Sequence, residues 1–363
     1  MPDTGKIAVL TGGGDCPGLN AALRALVQAC VLRHGIEVIG VRDGFKGLTE
    51  NRFVPLDLDR TAGIFARGGT ILGSSNVDTP FAVPVVKDGA TVLEDRSDAA
   101  VENLRRAGAA ALVVIGGDGT LAIAQALAAK GVRIIGIPKT IDNDLNGTEL
   151  TIGFFTAVGT AVEAIDRLHT TAESHHRILV VEVMGRNAGW IALFAGLAGD
   201  ADAILIPEIP YAAARLAAQL DDVHRRSRRY SIVVVSEGAR PVGGDVTVSR
   251  IVEHSPERAR LGGVAHRVAA ELESLTGRET RAIVLGHLLR GGAPVAFDRI
   301  LASRFGVMAA DAVASGRYGT MLAWCADNVE LVPLETGAGK NRYINPLSPF
   351  MQAARARGIS FGD

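Results

Sequence analysis

The strongest constraint on this chain is a repeated rhythm of short apolar runs, each ending in a polar, glycine-rich turn. Ile7–Leu10, Ile36–Val41, Ala111–Ile115, Arg133–Ile137, Ile178–Val183, Ala203–Ile206, Ser231–Val235 and Arg281–Leu285 are rich in β-branched residues. Their apolar positions run on continuously instead of alternating, as strands covered on both faces require. Between them lie stretches of helical pattern at Asn20–Arg33, Thr120–Lys130, Thr156–Thr170, Ala212–Arg226, Val264–Leu275 and Arg299–Ser315. Repeated β-α-β units of this kind imply an α/β fold of doubly wound parallel sheets with right-handed crossovers. In such sheets ligands bind beyond the carboxyl ends of the strands. A chain of 363 residues is long enough for two such domains, with a boundary expected near residue 153 and later segments crossing back.

The turns carry the chemistry. Thr11-Gly12-Gly13-Gly14-Asp15 follows the first strand and precedes a helix, so its backbone N–H groups and the helix dipole suit an anion such as phosphate; a plain tight turn is the other reading. It is not a dinucleotide fingerprint, since Pro17 stands where the third glycine would fall. It also lacks the Gly-Lys-Ser/Thr ending of a Walker loop. Gly116-Gly117-Asp118-Gly119-Thr120 follows another strand. Asp118 offers a hard oxygen for Mg²⁺ bound to phosphates, and Thr120 is expected to cap the next helix. This stretch also resembles the GGDGT signature of NAD kinases and diacylglycerol kinases.

Pro138-Lys139-Thr140-Ile141-Asp142-Asn143-Asp144 places two carboxylates two residues apart at a strand end. They suit a divided task, one taking a proton and the other holding charge or metal, with Lys139 attracting a phosphate. A solvated Asx-rich turn is the alternative for this stretch alone. Arg177, Arg186, Arg281, His287 and Arg290 supply cations whose forks match phosphate oxygens, although a single arginine is more often surface charge. His175-His176 has no third ligand at suitable spacing, so zinc is rejected, and Trp190 is expected to pack.

Composition narrows the classes. Lys+Arg 38 against Asp+Glu 39 leaves no electrostatic footprint for nucleic acid or an anionic membrane. Gly 43 with only Pro 14 fits many tight strand-to-helix turns. Cys16, Cys30 and Cys325 show no paired spacing, which fits a reducing cytoplasm and no disulfide framework. No apolar run is long enough to span a bilayer. The opening residues Met1–Lys6 carry no signal-peptide pattern.

Taken together, TGGGDCPGLNAALR, GGTILGSS, GGDGT, PKTIDNDLNGT with TIGFFTAV, SHHRILVVEVMGR, SEGA and RAIVLGHLLRGGAPVAFDRILASRFG resemble the phosphofructokinase family over about residues 6 to 335. The resemblance implies two Rossmann-like domains with the active site in the cleft between them. Residues 1–153 with about 289–339 would bind the phosphoryl donor and Mg²⁺, and residues 154–288 with about 340–363 the sugar phosphate. It implies transfer from ATP to the 1-hydroxyl of fructose 6-phosphate, in glycolysis. Asp142 would be the base, Thr140 and Asp144 would support the moving phosphoryl group, and Arg186 would join them in catalysis. Gly13, Gly14, Asn76, Gly117, Asp118, Gly119, Thr120 and Lys139 would line the donor, with Asp118 holding the Mg²⁺. Met184, Gly185, Arg186 and Glu237 would hold the sugar, together with Thr140 and Asp142. His287 and Arg290, with Arg177 and Arg281 from a neighbouring subunit, would bind its 6-phosphate. The shared site implies a homo-oligomer, a tetramer or dimer.

Three departures from the family pattern bear on the donor and on control. Gly119 stands where pyrophosphate users carry Asp, leaving room for a nucleotide, whereas Lys139 stands where the best-known ATP users carry Gly. ATP is therefore expected, with pyrophosphate or ADP as alternatives. Asn76 replaces a common Arg, a loss of transition-state charge stabilisation that Lys139 would offset. At the positions of the family's effector site, Arg24, Arg226 and Arg228 are basic, but Gln28 and His169 replace arginines. A kinase of another ketose phosphate such as sedoheptulose 7-phosphate, an NAD kinase and a non-catalytic sugar-phosphate sensor are the competing readings. The full PKTIDND and LGHLLRGG motifs oppose the second, and the intact Asp118, Asp142 and Asp144 the third.

Overall fold

The computed structural model describes residues 5–87, 89–226, 228–251 and 259–363; the opening residues 1–4 read above lie outside them, as does the side chain of Arg226. The chain divides into two compact units. The first takes the described residues up to Thr140 with Leu145–Gly153 and Arg290–Asn341, and the second takes Ile141–Asp144, Phe154–Leu289 and Arg342–Asp363.

The first unit opens with β1 (Lys6–Thr11), α1 (Leu19–His34), β2 (Glu37–Val41), α2 (Phe45–Thr49) and β3 (Phe53–Leu56). A hairpin of β4 (Val83–Lys87) and β5 (Ala90–Glu94) follows, then α3 (Ser97–Arg106), β6 (Leu112–Gly116), α4 (Asp118–Ala129) and β7 (Ile134–Pro138). The second unit runs through α5 (Phe154–His175), β8 (Ile178–Val183), α6 (Trp190–Ala198), β9 (Ala203–Leu205), α7 (Ala213–Arg226) and β10 (Ser231–Ser236). It continues with the antiparallel pair β11 (Val248–Ile251) and β12 (Ala259–Leu261), then α8 (Val264–Thr276) and β13 (Thr280–Val284). The chain returns to the first unit for α9 (Ala296–Ala314), β14 (Thr320–Cys325) and β15 (Asn328–Pro333), and α10 (Pro349–Ala356) rejoins the second.

Among the described residues, the first unit holds a sheet ordered β15-β14-β7-β6-β1-β2-β3 and the second a sheet ordered β13-β8-β10-β9. All eight runs read as strands in the sequence are strands, with no end moved by more than one residue. The second sheet is wholly parallel. The first departs from the expected all-parallel pattern at both edges, where β3 runs antiparallel to β2 and β15 antiparallel to β14. Edge strands have one unpaired side and partial exposure, so short connections and mixed polarity are tolerated there.

Burial explains the continuous apolar runs: every residue of β6, β7, β8 and β10 is buried. In the first unit α1 packs on α9, and a Cβ at Gly306 would fall 2.7 Å from the Ala25 Cβ and 2.8 Å from the Ala22 carbonyl oxygen. Glycine there lets the two backbones close on each other. Residues 141–144 belong to the second unit, although the sequence reading grouped them with the first; Arg342 of the second unit bonds both the Asn143 and Asp144 carbonyls. Among the described residues, no helix is long and apolar enough to cross a membrane.

Candidate active site

In the first unit, two glycine turns meet around one threonine. The Gly12 N–H donates to the Ile115 carbonyl (2.9 Å) and the Gly13 N–H to the Ser75 carbonyl (2.9 Å). This ties the turn after β1 to β6 and to the GGTILGSS stretch. The Thr11 hydroxyl donates to the Gly73 carbonyl (2.8 Å), bracing the same stretch. Gly13 has φ 75°, a left-handed backbone that side chains rarely adopt. Thr120 does not cap α4 as expected. The helix starts two residues earlier, at Asp118, after an extended Gly117. A carboxylate in the first turn suits the helix dipole, and Thr120 is free to pack: Cβ atoms at Gly12 and Gly116 would lie 2.6 and 2.3 Å from its methyl carbon.

Two cations reach the first turn. The Lys139 ammonium is 3% exposed and donates to the carbonyls of Gly12 (2.9 Å) and Gly14, acceptors that a buried ammonium requires. The Arg290 guanidinium donates to the Asp15 carbonyl (3.1 Å) and lies 2.6 Å from where a Gly14 Cβ would stand. Arg290 thus meets the first turn from within the same unit. Burial pushes the Cys16 thiol up to about 12, so beside these cations it stays neutral. Gly119 is exposed, and a Cβ on it would meet nothing within 4 Å. Asn76 is exposed and Asp118 half-buried.

A hard carboxylate oxygen beside glycine turns suits Mg²⁺ carried on phosphates. That ion keeps waters and substrate phosphates among its ligands and seldom sits in an all-protein cage. Asp118, half-buried in the first turn of α4, is an oxygen donor of that kind.

The second unit gathers the carboxylates. Asp142, Asn143 and Asp144 are 6%, 2% and 4% exposed, so the solvated-turn reading of this stretch fails. Thr140 closes the first unit, its carbonyl accepting from the Thr151 hydroxyl (2.6 Å). Beyond β8, Met184 leads into Gly185 (φ 147°) and Arg186 (φ 53°), and Glu237 beyond β10 accepts the Arg186 N–H (3.2 Å). The strained pair directs Arg186 at a strand end, held there by a carboxylate. Burial, and next the charge of Asp142, push the Glu237 carboxyl up to about 7. Asp142, Glu237 and the Arg186 turn thus form one cluster, brought together from separate motifs, with Asp142 buried and Arg186 and Glu237 half-buried.

Arg177 and Arg281 lie elsewhere. Arg177 precedes β8 and Arg281 is the second residue of β13, so both sit at the amino ends of strands whose carboxyl ends lead to Met184–Arg186 and His287. Five or six residues of strand separate the two ends by roughly 20 Å. Glu279 bridges the pair, 2.8 Å from Arg177 Nε and 2.7 Å from Arg281 Nη2. His287 is exposed in the turn Gly286–Arg290. Of the effector-like positions, Arg228 is committed to Asp200 (3.2 Å) and Asp202 (2.8 Å), and Arg24 to the Thr61 carbonyl (2.6 Å). Trp190 packs, as expected, but it also stacks under Arg342 at 4.1 Å. Arg342 sits in no recognisable motif, and no local sequence signal marks it.

The phosphofructokinase family model matches residues 6–313. An ATP-dependent 6-phosphofructokinase 2 of Clostridium perfringens is 51% identical over 360 residues, 99% of this chain and 98% of that protein. A pyrophosphate–fructose 6-phosphate 1-phosphotransferase of Streptomyces coelicolor is 48% identical over 342 residues, 94% of this chain and 96% of that protein. The solved Pichia pastoris phosphofructokinase in the T-state has a TM-score of 0.77 at 32% identity, covering 93% of this chain and 36% of that chain.

Proposed function

The chain belongs to the phosphofructokinase family, and we propose that it transfers a phosphoryl group from ATP to the 1-hydroxyl of fructose 6-phosphate, giving fructose 1,6-bisphosphate. The observation that carries the reading is the cluster of buried Asp142 with half-buried Glu237 and Arg186, a place for a base and a polar substrate partly shielded from bulk water. Asp142 takes the proton from the 1-hydroxyl as that oxygen bonds to the γ-phosphorus and the bond to the leaving β-phosphate oxygen breaks. Arg186 and Glu237, with Met184 and Gly185, orient the sugar. Thr140 and Asp144 steady the acceptor side. When bound, Mg²⁺ held by Asp118 neutralises charge on the donor phosphates. Gly14 and Gly117 offer backbone N–H groups to those phosphates, and Gly13, its N–H held by Ser75, shapes the turn around them. Lys139, through the Gly12 and Gly14 carbonyls, fixes the shape of that turn and gives it positive charge.

Gly119 favours ATP, because open space around it leaves room for the rest of a nucleotide, and the Clostridium perfringens relative is named for the same donor. Pyrophosphate is the second reading, favoured by Lys139 and by the name of the Streptomyces coelicolor relative. The amino-end position of Arg177 and Arg281 supports their serving the 6-phosphate site of a neighbouring subunit, hence a homo-oligomer. Incubating the protein with fructose 6-phosphate, Mg²⁺ and either ATP or pyrophosphate tests the function. Fructose 1,6-bisphosphate should form faster with ATP. Faster turnover with pyrophosphate overturns the donor, and no product with either overturns the reaction.

A further inference from the structure

Several contacts converge on the segment that carries Asp142 and Asp144, and they come from a residue some 200 positions away. The Arg342 backbone N–H donates to the Asp144 carbonyl (2.5 Å), and its Nη2 donates to the Asn143 carbonyl (2.8 Å). The same guanidinium stacks on the Trp190 ring, its central carbon 4.1 Å from the ring centroid. The Trp190 indole N–H donates back to the Arg342 carbonyl (3.0 Å). Glu208 fastens both partners from behind, accepting the N–H of Gly189, next to Trp190, at 3.1 Å and that of Ile344 at 2.9 Å. All of these residues belong to the second unit.

We propose that Arg342, clamped on Trp190, is a positioning residue for Asp142. Asn143 holds φ 51°, a left-handed conformation that is unfavourable for a residue with a side chain. A fixed donor on the carbonyl of Asn143 and another on that of Asp144 keep the backbone in this path. The path sets the direction of the neighbouring Asp142 carboxylate, which is itself almost fully buried. A guanidinium suits the place because one planar group can stack on an indole face and donate sideways in its own plane. An ammonium keeps the charge but loses that fork. The inference rests on Asp142 being the base of the proposed reaction.

Steady-state kinetics of Arg342→Ala, Arg342→Lys, Asp142→Asn and the double variant Arg342→Ala with Asp142→Asn test it, alongside melting curves. A base displaced by about 1 Å loses roughly 10²-fold in rate, so Arg342→Ala should lower kcat by about that factor. The KM for the sugar phosphate should stay within about three-fold, because sugar contacts are untouched. Arg342→Lys should fall in between, and millimolar guanidinium should restore part of the kcat of Arg342→Ala but none of that of Arg342→Lys. In the Asp142→Asn background, Arg342→Ala should cost little more. A folded Arg342→Ala enzyme with kcat within two-fold of wild type, beside an Asp142→Asn enzyme that is strongly impaired, would overturn the positioning role. So would an undiminished effect of Arg342→Ala in the double variant. If Arg342→Ala fails to fold, Arg342→Lys decides by the same kcat criterion. Should Asp142→Asn itself retain near-normal kcat, the base assignment falls first, and this inference falls with it.

Discussion

Replacing Glu237 by glutamine should make the protein more stable at alkaline pH and leave its stability nearly unchanged at acid pH. Two causes act on the Glu237 carboxyl in the same direction: burial first, and the neighbouring Asp142 charge second, raise it from 4.5 to about 7. A carboxyl raised in the folded state binds its proton more tightly there than in the unfolded chain. Its contribution to stability is therefore complete below about 4.5, falls as the pH rises through about 7, and is flat above that. Moving one ionisation over that interval costs on the order of 3 kcal/mol, a sizeable part of the ordinary stability of a folded domain. Glutamine keeps the shape and cannot ionise, so Glu237→Gln should exceed wild type by about 3 kcal/mol at pH 8 and by under about 1 kcal/mol at pH 5. It should still accept the Arg186 N–H through its amide oxygen. Denaturant titration of both proteins at the two pH values measures the difference. Asp142→Asn removes the second cause of the shift, so in that background the gain from Glu237→Gln should shrink. A gain independent of pH, or larger at pH 5, would refute the assignment of a raised carboxyl to this cluster.

Gly119→Asp should leave the melting temperature almost unchanged, because a side chain there meets open space, yet depress ATP turnover far more than pyrophosphate turnover; steady-state rates with each donor check this. Lys139→Gly leaves the Gly12 and Gly14 carbonyls without their shared ammonium, so it should lower stability by about 3 kcal/mol and reduce kcat with both donors. A variant that gains ATP activity would contradict the role given to Lys139. Arg281→Ala should raise the KM for the sugar phosphate with little change in kcat, since the 6-phosphate is remote from the reacting hydroxyl. Sizing of the wild-type protein should show an oligomer, and a monomer with full activity would rule out a shared site.

Much of the fold was legible because burial on both faces leaves a local mark. A strand such as Ile178–Val183, fully covered, is apolar at every position but Glu182, whose carboxylate accepts the N–H groups of Gly263 and Ala265, and that apolar run can be seen without any distant residue. The glycine turns were legible for a similar reason, since backbone that approaches another chain segment or turns left-handed excludes side chains at fixed places, as at Gly13 and Gly185. Half-exposed edge strands such as Asn328–Pro333 left no such mark, and their antiparallel direction depends on which neighbour they pair with. The candidate site divides in the same way. The residue types around Asp118 and Asp142 were readable as motifs, and so was the place of Arg177 and Arg281 at the amino ends of their strands, but two facts were not. The Lys139 ammonium turns under the first glycine turn, and residues 141–144 are held by Arg342. Each depends on a contact between segments far apart in the chain, up to 199 positions for Arg342 and Asn143. Local sequence fixes which groups are available and what conformations their backbone tolerates; the direction in which a charge points is set by whichever buried acceptor the packed chain brings within reach, and that is decided only when distant segments close on one another.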